Sequence, residues 1–76
     1  MINYDVTVKL FDPKSGEGKI QTSHGRLKPF QVKEITLDGV SVDDLRPGKT
    51  FTGLFNDEEK LMILKPWELI WFSFTG

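Results

Sequence analysis

The stretch Val8-Lys9-Leu10-Phe11-Asp12-Pro13-Lys14-Ser15-Gly16-Glu17-Gly18-Lys19-Ile20 decides how this chain folds. It begins as an alternating strand, passes through a turn built on Asp12-Pro13-Lys14-Ser15-Gly16, and resumes as a second strand opened by Gly16-Glu17-Gly18. Pro13 fixes one backbone angle of the reversal and glycine supplies the conformations that other residues avoid. Upstream, Ile2, Tyr4, Val6, Val8 and Leu10 alternate with Asn3, Asp5, Thr7 and Lys9, which places the apolar set on one face of a half-buried first strand.

Period two continues downstream. A second strand spans about Glu17 to Thr22 and ends at the turn Ser23-His24-Gly25. A third covers Leu27 to Ile35, with Phe30 and Val32 facing inward and Gln31 and Lys33 outward. Pro29 has no N–H to give a ladder, so this strand belongs at an edge or carries a bulge. Asp38-Gly39 and Pro47-Gly48 bracket a long ordered loop holding Val40, Val42 and Leu45, which forms a short hairpin or one helical turn with Asp43 as a cap. Lys49 to Phe55 forms the fourth strand, Asn56-Asp57-Glu58-Glu59 a turn, and Leu61 to Leu64 the fifth. Five short strands with the long connection between the third and fourth give a small all-β, five-stranded OB-like Greek-key barrel, read as one domain over residues 1–76.

The tail from Pro66 to Gly76 holds Trp67, Trp71, Phe72 and Phe74. A short helix accommodates it, with Pro66 first and the two Trp four apart; a sixth strand paired to the barrel is favoured. These rings either close one end of the barrel, supplying core that so short a chain needs, or leave Trp67, Trp71 and Phe72 as a contact for a protein partner or a second copy.

The quoted stretch resembles the opening of the cold-shock domain, whose first two strands read roughly V-K-W-F-N-x-x-K-G-x-G-x-I. Val8, Lys9, Phe11, Gly16, Gly18 and Ile20 match, while Leu10 stands in the place of Trp, Glu17 and Lys19 in the places of Phe, and Ser15 in that of Lys. The family's second motif, V-F-V-H-F-x-x-I, falls on Lys28 to Ile35, where Phe30 and Ile35 fit. Leu45-Arg46-Pro47-Gly48-Lys49 resembles its L-x-x-G-x approach to strand four, a pattern many OB folds share. The resemblance covers about residues 6–65 and implies an OB barrel that binds single-stranded RNA or DNA.

On that reading the contacts are Lys9, Phe11, Lys14, Lys19, His24, Arg26 and Lys28, a basic face with Phe11 as its stacking ring. Each base–aromatic stack is worth about 1–3 kcal/mol, so exchanging four or five rings for Leu10, Glu17, Lys19, Pro29 and Val32 removes on the order of 4–15 kcal/mol. A micromolar complex is only about 8 kcal/mol deep. Any surviving nucleic-acid affinity is therefore weak, electrostatic and salt-sensitive.

The bulk charge is consistent with a weak binder. Formal net charge is -1, unlike a strongly basic reader. Residues 1–33 carry six Lys and Arg against three Asp and Glu, net +3, and residues 34–76 carry four against eight, net −4. That asymmetry either orients an anionic partner or is ordinary solvated charge. With no cysteine and one histidine, the chain has no thiolate zinc site, no disulfide and no recognisable catalytic constellation. Asp43-Asp44 and Asp57-Glu58-Glu59 lack the spacing of a calcium loop, and Gly16-Glu17-Gly18 is no dinucleotide fingerprint because no helix follows. No enzyme, metal or cofactor is expected. Charges interrupt the apolar runs at both ends, so the expectation is a cytoplasmic protein without a membrane segment. The second reading keeps the barrel and replaces nucleic acid with a protein partner: a small regulatory, inhibitory or self-associating module.

Overall fold

The computed structural model describes residues 1–67. Its strands are β1 (Ile2–Asp12), β2 (Glu17–Thr22), β3 (Leu27–Gln31), β4 (Thr36–Leu37), β5 (Thr50–Phe55) and β6 (Leu61–Pro66), with single 3₁₀ turns at Val32–Glu34 and Val42–Asp44. They form one sheet in the order β3-β2-β1-β5-β6-β4. Every pairing is antiparallel except β4 with β6. The two outermost strands, β3 and β4, are consecutive in the chain, so the short segment between Gln31 and Thr36 draws the ends of the sheet together. The sheet thereby curls into an all-β, OB-like barrel, as the alternation and the long 37–48 connection led us to expect.

The inside is filled by Val6, Val8, Ile20, Phe30, Val40, Leu45, Phe51, Phe55, Leu61 and Leu64. Period two delivers Val6 and Val8 from β1, Ile20 and Thr22 from β2, and Phe51 and Phe55 from β5. Gly18 lies in the same inward row, between Phe11 and Phe30, whose rings are parallel within 3° with centroids 6.0 Å apart. A Cβ at this glycine would lie 2.8 Å from the Phe30 ring, so the close aromatic pair requires its absence.

Four sequence expectations need correction. The register of β1 on β2 slips between Val8 and Leu10. This bulge reverses the alternation: Leu10 turns out, 49% exposed, and Phe11 packs against the core instead of facing outward. The third strand stops at Gln31 because Val32–Glu34 winds into a 3₁₀ turn, and Thr36–Leu37 pairs separately with β6. The helical turn in the long loop is capped by Ser41 rather than Asp43, its hydroxyl accepting from the Asp43 N–H while the Asp44 carboxylate accepts from the Ser41 N–H. A short strand, β4, is added to the five expected, while the expected tail strand, with Trp71, Phe72 and Phe74 among residues 68–76, lies outside the described residues.

Pro29 occupies an edge strand, as its missing donor requires. The Thr22 N–H bonds to the Arg26 carbonyl and the Val32 N–H to the Gly16 carbonyl. These bonds set the alternation between them: the backbone groups of Lys28 and Phe30 face β2, and those of Leu27, Pro29 and Gln31 face the open edge. The proline thus removes an edge donor without removing a ladder bond.

Candidate functional site

Antiparallel registry assembles the outward surface of β1, β2 and β3 from rows of opposed residues. One row is Thr7, Gln21 and Leu27; the next is Leu10, Lys19 and Pro29; the third is Asp12, Glu17 and Gln31. The rows turned inward are Phe11, Gly18 and Phe30, then Val8, Ile20 and Lys28. The outward face therefore presents aliphatic and polar groups with one lysine near its centre, and no aromatic ring.

Over the free edge of β3 lies a cleft of about 630 Å³. Leu10, Pro29, Phe30 and Leu61 supply apolar lining, Lys19 and Lys28 belong to β2 and β3, and Glu58, Glu59 and Lys60 come from the β5–β6 turn. Strands two and three with the flanking loops are the usual ligand platform of OB barrels. Among the described residues no ladder joins β3 to β6. Ion pairs tie the two sides instead. Glu59 Oε2 meets Arg26 Nη1 at 3.0 Å and Lys28 Nζ at 3.8 Å, and Glu34 Oε2 meets Lys60 Nζ at 4.0 Å. Gln31 also donates to Glu17 Oε1 at 3.1 Å. The cleft wall carries Glu17, Glu34, Glu58 and Glu59 against Lys19, Lys28 and Lys60, so it is slightly acidic.

The residues expected to form one basic face are dispersed. Lys9 is exposed at the β1 bulge, beside the Gly48–Lys49 backbone that bonds to Val8. Lys14 is exposed in the first turn, its N–H donating to Asp12 Oδ1 at 2.9 Å. Lys19 stands outward between Leu10 and Pro29. Phe11 is packed against Phe30. His24 sits in the β2–β3 turn, edge-on to Tyr4 with centroids 5.0 Å apart. Arg26 and Lys28 lie at the barrel mouth against Glu59. From the tail, Trp67 is 43% exposed, and Trp71 and Phe72 lie outside the described residues.

Sequence reasoning missed Glu59 and Glu34. The acidic turn reads as solvated from its neighbours alone, and nothing in a linear pattern aligns Glu59 with Arg26, 33 positions away. The opposite charges of the two halves of the chain are folded against each other here rather than separated. Among the described residues no three His, Asp or Glu side chains gather in a way that could hold a metal ion, and no helix is long and apolar enough to cross a membrane. Comparison with family models, curated proteins and solved structures finds no match to this chain.

Proposed function

We propose that this barrel is a protein-interaction module whose contact surface is the cleft over the free edge of β3, together with the adjoining Leu10–Lys19–Pro29 row. The observation that carries the reading is the pairing of charge across the cleft: Arg26, Lys28 and Lys60 each face a carboxylate. A nucleic-acid groove gains affinity from cations that meet phosphates and release counterions. A wall that is acidic on balance, with its cations set singly among carboxylates, offers no run of free cations along which an extended phosphodiester backbone could lie. It also lacks the stacking rings that the resemblance to cold-shock domains implies, because Leu10, Glu17, Lys19 and Pro29 fill the outward positions. Exposed Leu10 and Pro29 beside paired polar groups suit a partner surface with an apolar centre and a polar rim.

The test is capture of binding partners by the wild-type chain and by Leu10→Asp, alongside amide NMR titration with short single-stranded RNA and DNA at low salt. The reading expects partners that Leu10→Asp loses, and no salt-sensitive shifts with either oligonucleotide. Capture that Leu10→Asp leaves intact overturns it.

One observation favours the second reading, weak single-strand binding. Lys9, Lys14 and Lys19 are exposed and, among the described residues, take part in no ion pair. If they track a phosphodiester backbone, Lys19→Glu weakens binding and lowers the dependence of log affinity on log salt by about one.

A further inference from the structure

A second, smaller cavity of about 160 Å³ opens at the barrel mouth, lined by Tyr4, Thr22, His24, Arg26, Lys28 and Phe55, with Glu59 completing the wall. That volume has room for several water-sized groups. Its polar lining is mostly of donor type: a guanidinium, an ammonium and an imidazole, with one carboxylate among them. The two cations do not merely lie near that carboxylate. Arg26 Nη1 and Lys28 Nζ converge on the same oxygen, Glu59 Oε2.

Glu59 is held there against the preference of its own backbone. Its φ is +61°, and among the described residues it is the one non-glycine in the left-handed region. Glycine or asparagine is the ordinary occupant of such a position. The turn that carries it is braced: Asn56 Oδ1 accepts from the N–H groups of Glu58 and Lys60, both at 2.9 Å, and the Glu59 N–H donates to the Asn56 carbonyl at 2.9 Å. A conformation that glycine would adopt without strain therefore carries a glutamate whose carboxylate reaches two cations, Arg26 in the β2–β3 connection and Lys28 on β3.

We propose that Arg26, Lys28 and His24 form an oxyanion-binding site for a phosphate group, and that Glu59 occupies it as an internal stand-in. Two converging cations match the double charge of a phosphate better than the single charge of a carboxylate. The pair is displaceable, since the Arg26 and Glu59 side chains are 65% and 43% exposed and ion pairs so exposed hold weakly. Lys28 and Glu59 also line the larger cleft, so an incoming phosphate would loosen one of the ties between β3 and the β5–β6 turn. This site stands on its own contacts and is independent of what occupies the larger cleft.

The experiment is an amide NMR titration with inorganic phosphate at fixed pH and ionic strength, chloride serving as the control salt. It compares wild type, Glu59→Gln, and Glu59→Gln combined with Arg26→Gln. Glu59→Gly, which suits the backbone angle, serves as a second release variant whose spectrum reports the fold. Removing the internal carboxylate is expected to tighten phosphate binding by up to about fivefold, the scale of an exposed ion pair. Shifts should centre on His24, Arg26 and Lys28 and be lost in the double variant. Three results overturn the proposal: release variants that respond to phosphate no more than to chloride, a double variant that binds as well as the single, or acetate binding as tightly as phosphate.

Discussion

Replacing Gly18 by alanine tests the packing that holds the first three strands together. The new Cβ would lie 2.7 Å from the Leu10 carbonyl oxygen and 2.8 Å from both Cε1 and Cζ of Phe30. Ordinary carbon–oxygen contact is about 3.3 Å, so the carbonyl is roughly 0.6 Å too close. It belongs to the β1–β2 ladder beside the bulge and cannot swing aside as a side chain can. The Phe30 ring can move, but only by leaving its parallel pairing with Phe11, an arrangement worth about 0.5–1.5 kcal/mol. Overpacking of this kind costs about 1–3 kcal/mol. Against this, alanine loses less backbone entropy on folding, a gain of about 0.5–1 kcal/mol. The balance is a net loss of about 0.5–4 kcal/mol, and a domain of this size moves its melting point by roughly 4–8 °C per kcal/mol. Thermal and urea unfolding followed by circular dichroism should show the loss, with altered ring shifts for Phe11 and Phe30. A variant that melts at or above the wild-type temperature would refute the claim that the aromatic pair is what demands glycine here.

Other expectations follow from the same packing. Phe55 is 1% exposed, the largest side chain in the fully buried set; Phe55→Ala should cost about 3–5 kcal/mol, enough to remove cooperative unfolding from a small domain, and a sharp melt within a few degrees of wild type would contradict it. Pro29→Val restores an N–H pointing off the β3 edge, so concentration-dependent association in sedimentation should rise above wild type; an unchanged profile would mean that the proline does not guard that edge. Ser41→Ala removes the hydroxyl that accepts from Asp43 and should cost about 1 kcal/mol in urea unfolding, with Ser41→Asp restoring most of it.

The sequence made much of the barrel legible through period-two alternation and turn chemistry. Those local signals place β2 within its observed bounds and β5 and β6 within a residue or two at each shared end, and the missing donor of Pro29 narrows β3 to an edge or a bulge, of which the sheet order shows the edge. The β1 bulge was not legible, because alternation cannot count an inserted residue. One slipped position exchanges the fates of Leu10 and Phe11, turning the expected stacking ring into packing. Strand β4 was missed for another reason: two residues are too few to show a period, and a parallel partner 27 positions away supplies its pairing.

By itself, then, the sequence determined five of the six described strands, the main reversals and most of the apolar set, since each depends on neighbours a few bonds apart. Tertiary structure alone decided which charges meet. Arg26 and Lys28 read as part of a free basic face until the β5–β6 turn brings Glu59 onto both of them, and the same curl sets Lys60 against Glu34. Electrostatic partnership depends on distance through space, and curling the sheet is what sets those distances.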